Sequence, residues 1–115
     1  MVAVETKTVL YPVRDVEKAK SIFSALLGME PTTDSPYYIG FHIGDQEIGL
    51  LPQGHNQGMT GQVTYYEVAD ISESLSKLVG AGAEIIQGPM DVGAGLLVAT
   101  LKDLDGNVIG LRQPA

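Results

Sequence analysis

The sequence predicts one α+β domain over residues 1–115, made of two βαβββ modules that form a cupped mixed sheet. Three observations predict it. The order strand, helix, strands is written twice by the apolar pattern. Short segments recur at matching points: Val13-Arg14-Asp15 with Val68-Ala69-Asp70, Gly28-Met29-Glu30 with Gly82-Ala83-Glu84, and Ile48-Gly49-Leu50 with Ile109-Gly110-Leu111. Between the copies lies a stretch rich in Gly, Asn and Gln. Module one is therefore expected at about 5–52, a linker at 53–61 and module two at about 62–115.

Each element has its own signal. Val9–Val13 reads as a strand, with Pro12 marking an edge or a strand end. Asp15 suits a helix N-cap, Val16, Ala19, Phe23, Leu26 and Leu27 share a helical face, and Gly28 suits the stop. Met29–Asp34 adds a short strand. Ile39, Phe41 and Ile43 alternate within a strand at Tyr37–Ile43, and Gly44-Asp45 turns the chain into another at Glu47–Leu51. The second copy opens with a strand at Val63–Val68. Asp70 caps the next helix, with Glu73 completing a capping-box pattern. Ile71, Leu75, Leu78 and Val79 mark its face, and Gly80 and Gly82 end it. Strands follow at Glu84–Gln87, Leu96–Leu101 and Asn107–Leu111, with Gly88–Gly95 read as a longer connection.

A module of this size covers one face of its sheet with a helix and leaves the other face over. Two leftover faces that meet make a cleft, so the ligand is expected there.

Composition removes several functions. A net charge of −7 with seven thinly spread Lys and Arg argues against nucleic-acid binding, where affinity comes from phosphate neutralisation. The negative field favours solubility and attracts cationic ligands. No apolar run approaches a membrane span of about 20 residues, and the first residues lack the pattern of a secretory signal. With no cysteine, disulfides, thiolate zinc sites and Cys nucleophiles are excluded, which fits a cytoplasmic location. Gly93-Ala94-Gly95 lacks the remaining glycine and the helix of a dinucleotide site.

The run Val13-Arg14-Asp15-Val16-Glu17-Lys18-Ala19 resembles the strand-to-helix opening of modules in the vicinal-oxygen-chelate superfamily, the glyoxalase, bleomycin-resistance and dioxygenase group. Asp103-Leu104-Asp105-Gly106-Asn107-Val108-Ile109 resembles the Asp-Pro-Asp-Gly-Asn turn near a module end, with Leu104 in place of proline. Asp103, Asp105 and Asn107 are expected to build that turn and not to do chemistry. The resemblance implies a small-molecule site in a cupped sheet and, in many members, a divalent metal held at four equivalent strand positions. Those positions fall on Thr8, Val63, Gly49 and Gly110, none of them a good metal ligand. No cofactor is therefore expected, with a divalent metal as the alternative.

Strand alternation carries Leu10, Pro12, Glu47, Leu51, Tyr65, Glu67, Val108 and Arg112 to the same face as those four positions, together with Tyr38, Gly40 and His42. Ligand contacts are expected from Tyr65, Tyr38, Arg112, Leu10, Leu51, Thr8, Val63, Gly49 and Gly110. Glu67, Glu47 and His42 are the candidate acid–base groups. Arg112 either holds an anionic group or pairs with a glutamate. The paired glycines indicate close backbone approach, room for a ligand, or a sheet kink. His55, in the polar linker, is expected to be exposed. The expected function is metal-free binding of a drug or metabolite in an apolar cleft. The alternative is a lyase, isomerase or dioxygenase-like enzyme using the acid–base residues or a non-standard metal site. The expected partners are a small-molecule ligand and a second copy in a homodimer, with no nucleic acid and no membrane.

Overall fold

The computed structural model describes residues 4–115. Its elements are β1 (Glu5–Pro12), α1 (Val16–Leu27), β2 (Thr33–Asp34), β3 (Ile39–Ile43), β4 (Gln46–Leu51), a 3-10 turn (His55–Gln57), β5 (Val63–Glu67), α2 (Ile71–Gly80), β6 (Glu84–Asp91), β7 (Leu97–Lys102) and β8 (Val108–Gln113). This is the βαβββ order written twice in an α+β chain. The chain divides into two compact units. One is Thr8–Val63, which includes the 53–61 stretch, and the other joins Thr64–Ala115 with Lys7 and the described residues before it.

In the Thr8–Val63 unit the strands lie in the order β2-β3-β4-β1. β4 is antiparallel to β3 and parallel to β1, with Leu10 opposite Gly49 and Thr8 opposite Glu47. Helix α1 starts where the Asp15 carboxylate accepts the Lys18 N–H at 3.1 Å, a cap worth about 1 kcal/mol. It stops where Gly28 turns left-handed at φ 70°. Its inner stripe is Val16, Ala19, Phe23 and Leu27, packed with Tyr11, Val13 and Ile48 around the fully enclosed Ile39, Phe41 and Leu50. Tyr11, Phe23 and Phe41 form a ring series with centroid spacings of 4.9 and 6.5 Å. Leu26 departs from expectation. At 100° per residue it lies beside Ile22 on the margin of the stripe and is 72 % exposed. Ile43, at the end of β3, is also exposed.

The second unit has the order β5-β8-β7-β6, with β5 parallel to β8 and the other pairs antiparallel. Asp70 caps α2 by accepting the Glu73 N–H at 3.0 Å. Ile71 and Leu75 pack with Val68, Ala99, Leu101 and Leu111, and Leu78 and Ile109 border the cluster. Val79 sits at the edge of this stripe and is exposed. Half of the segment expected as a long connection, residues 88–91, is strand. β6 continues through Gly88 and Pro89 to Asp91, with register shifts between Ile85 and Gln87 and between Gln87 and Met90. An edge strand tolerates a proline and bulges because one side of its ladder is unused. The turn is confined to Val92–Leu96, closed by Val92 N–H to the Leu96 carbonyl at 2.9 Å.

The Asp103 turn is structural, as expected. Asp103 Oδ1 accepts the N–H groups of Asp105 and Asn107, and Oδ2 accepts the Asn107 side-chain amide, all at 2.9 Å. The Asn107 amide and these N–H groups hold the Asp103 carboxyl below the usual range. Among the described residues no helix is long and apolar enough to cross a membrane.

Candidate functional site

Each unit turns one sheet face toward its helix and carries the candidate polar residues on the other. The register that seats Ile39, Phe41, Ile48 and Leu50 under α1 leaves Tyr38, Gly40, His42, Glu47 and Gly49 on the opposite face. The Ser35 hydroxyl holds the approach to β3 by accepting the Tyr38 N–H at 3.1 Å and donating to the Tyr38 carbonyl. From there the Tyr38 ring lies flat over the neighbouring strands. A Cβ added at Gly40 would meet the ring at 2.7 Å, and one added at Gly49 would meet it at 2.6 Å and Leu10 Cδ2 at 2.6 Å. Both glycines are needed because the ring and Leu10 occupy the space a side chain would take. The Tyr38 hydroxyl donates to Glu47 Oε2, and His42 Nδ1 lies 3.5 Å from Glu47 Oε1. Register explains the second contact, since His42 and Glu47 are opposite each other in the β3–β4 ladder. Thr32 fixes the His42 backbone by accepting its N–H at 3.0 Å, while the imidazole stays mostly exposed.

The Thr64–Ala115 unit repeats the device with one tyrosine. Tyr65 stands opposite Gly110 in the parallel β5–β8 ladder. A Cβ on Gly110 would come within 2.6 to 2.9 Å of three atoms at the base of the Tyr65 ring. Burial against this backbone raises the Tyr65 phenol above its ordinary value, because the phenolate loses solvation. Two residues on, Glu67 stands opposite Arg112, and Oε1 lies 3.7 Å from the guanidinium Nε. Of the two roles expected for Arg112, the structure places it with the glutamate.

The structure thus groups Tyr38, His42 and Glu47 with Leu10 and Gly49 in one unit, and Tyr65, Glu67 and Arg112 with Gly110 in the other. Leu51 and Thr8 are half-buried, and Val63 is buried at 6 % exposure. Sequence reasoning read the paired glycines as a close approach or as space for a ligand. The close approach is to the chain's own tyrosines: Tyr65 stands directly across from Gly110, while Tyr38 reaches Gly40 and Gly49 from just before β3. Sequence reasoning missed more around His55. That residue opens a 3-10 turn and is half-buried, with its Nδ1 enclosed.

Among the described residues no group of three or more His, Cys, Asp or Glu is gathered as a metal site. Thr8 and Val63 offer a hydroxyl and a hydrocarbon, and tyrosine rings cover Gly49 and Gly110. This donor set does not fit a divalent cation.

The sequence profile of the Glyoxalase/Bleomycin resistance protein/Dioxygenase superfamily matches residues 6–111. No curated protein matches in sequence. Among solved structures, a hypothetical protein of Bacillus halodurans C-125 superposes with a TM-score of 0.77 at 16 % identity, covering 99 % of this chain and 96 % of that one. Methylmalonyl-CoA epimerase from Mycobacterium tuberculosis gives 0.75 at 17 %, covering 100 % and 93 %. The Mn(II)-bound glyoxalase from Novosphingobium aromaticivorans gives 0.73 at 15 %, covering 95 % of this chain and 38 % of that one. At these identities the structures share the fold.

Proposed function

The chain belongs to the Glyoxalase/Bleomycin resistance protein/Dioxygenase superfamily, and on that premise we propose that it is a metal-free small-molecule binding protein. Each unit offers a face for such a ligand, a drug or metabolite: the one that carries Tyr38 or the one that carries Tyr65. The observation that carries this reading is the seating of both rings on strand glycines. A ring backed by main chain is an aromatic surface fixed before the ligand arrives, so little ordering entropy is lost on binding. The nearby carboxylates support binding over acid–base work. Glu47 already accepts from Tyr38 and neighbours His42, and Glu67 is paired with Arg112. These contacts hold both carboxylates in place as acceptors for a polar group of the ligand.

A thermal-shift screen of metabolites and antibiotics against chelator-treated protein tests the proposal. For the compound it identifies, Tyr65→Ala is expected to weaken binding by about 30-fold, the loss of roughly 2 kcal/mol from one aromatic anchor. Glu67→Gln is expected to weaken it less, and both variants should remain folded. Unchanged affinity in both would refute the assigned face.

One observation favours a second reading. Tyr38, Glu47 and His42 are three titratable groups in contact, and the fold is shared with methylmalonyl-CoA epimerase. An isomerase working through Glu47 would incorporate solvent deuterium into the bound compound, and Glu47→Gln would abolish that exchange. The binding reading requires no exchange.

The proposal includes a cytoplasmic homodimer. In the order β5-β8-β7-β6, β6 is the outer strand, and it exposes Ile86 and Met90. An apolar edge strand is a natural place for an isologous two-fold contact. Sedimentation at low micromolar concentration is expected to give the dimer mass. A monomer mass there would remove the dimer from the proposal.

A further inference from the structure

A second candidate site lies within residues 8–63, on the loop that follows β4. A cavity of about 380 Å³ is lined by Arg14, His55, Gly58, Met59 and Thr60. The loop is packed into place. The Gly54 N–H donates to the Leu51 carbonyl at 3.1 Å, and the Met59 N–H returns to the Gly54 carbonyl at 3.0 Å. A Cβ at Gly54 would meet the side chain of Pro12 at 2.7 Å and its Cα at 3.0 Å. The 3-10 turn is thereby held against the end of β1, two residues before Arg14. Gly58 closes the turn at φ 95°, a backbone angle that favours glycine.

Arg14 is unusual in this chain. The other basic side chains each have a carboxylate within 4.0 Å: Lys7 with Glu5, Lys18 with Asp15, Lys20 with Glu17 and Asp34, Lys77 with Glu73, Lys102 with Glu84 and Arg112 with Glu67. Among the described residues Arg14 has none, although the chain carries a net charge of −7. Beside it, His55 Nδ1 is enclosed and makes no hydrogen bond. With Nδ1 enclosed, Nε2 is the ring nitrogen left to meet a ligand. Thr60 adds an exposed hydroxyl.

We propose that this cavity binds an oxyanion, the phosphate or carboxylate group of a small molecule, through the Arg14 guanidinium, the His55 Nε2–H and the Thr60 hydroxyl. A guanidinium meets two oxygens of such a group at once, and the two neutral donors complete its shell without adding charge.

Inorganic phosphate and acetate, titrated separately into the full chain at low ionic strength, test the proposal. The readouts are the His55 imidazole and Thr60 amide resonances. Saturable shifts with phosphate alone would assign a phosphate-bearing ligand, and with acetate alone a carboxylate. Shifts with both would assign the oxyanion class. Arg14→Gln is expected to weaken binding by about tenfold, while Lys18→Gln, which removes the same charge outside the cavity, changes it less than about twofold. Two results would overturn the site: no saturable shift with either probe, or equal weakening in the two variants.

Discussion

Phe41→Ala is expected to remove about 3–5 kcal/mol of stability, a large share of the roughly 5–15 kcal/mol that holds a domain of this kind. Phe41 is fully enclosed between Ile39, Leu50 and the inner stripe of α1, and its ring continues the contact of Phe23 with Tyr11. Truncation leaves a cavity that rigid neighbouring strands cannot close. Each unit has its own core, so the loss should be read first in the Thr8–Val63 unit. Native-state amide exchange should show β3 and β4 opening at much lower free energy than β7 and β8. Loss of less than about 1 kcal/mol in denaturant unfolding would mean that Phe41 is not the centre of that core.

The second large effect concerns the seat under Tyr65. Gly110→Ala is expected to cost about 1–3 kcal/mol, because the new methyl meets the base of the ring, which moves only if the whole side chain swings. Gly49→Ala should cost less, since its methyl meets the tip of Leu10 and the outer edge of Tyr38, and both can give way. In the Tyr65→Ala background most of the Gly110→Ala penalty should vanish, a coupling that additive sites would not show. Titration supplies a second readout. Burial raises the folded-state value of the Tyr65 phenol, so the folded protein keeps that proton to higher pH than the unfolded chain does. The stability of the seat is therefore intact below about pH 10, the ordinary tyrosine value, and falls as pH rises from there through the raised value. Spectrophotometric titration of the wild type should show a late tyrosine component that is lost in Tyr65→Phe and shifted back toward the ordinary range in Gly110→Ala.

The fold was legible because two signals agreed throughout the chain. Alternation assigned Ile39, Phe41, Ile48, Leu50, Ile109 and Leu111 to the helix-covered faces, and Asp15, Asp70 and Gly28 marked helix ends by chemistry that needs no tertiary context. Legibility failed at margins. Leu26 and Val79 are apolar but sit at the border of their stripes, where periodicity cannot say whether a side chain is covered. Gly88 and Pro89 read as a connection because their residue types disfavour strands, yet an edge strand with bulges accepts them. In the site, the shared face of Tyr65, Glu67 and Gly110 followed from period-two alternation. Pairing of Arg112 with a glutamate was one of its two expected roles, but the choice of Glu67 and the contact of Glu47 with Tyr38 did not follow, because they depend on which strands are neighbours. The loop around His55 was the least legible, since its shape comes from the packing of Gly54 on Pro12 and not from any local pattern.

On the proposed function, ligand binding uses side chains alone, on faces where tyrosine rings cover two of the four positions at which the superfamily resemblance places metal ligands, Gly49 and Gly110. Elemental analysis of the protein purified from medium supplemented with zinc, nickel, iron and manganese tests it most directly. The expected result is well below one equivalent of any of these metals per chain. One equivalent of a single metal, retained through gel filtration and lost in Glu47→Gln or Glu67→Gln, would contradict the account.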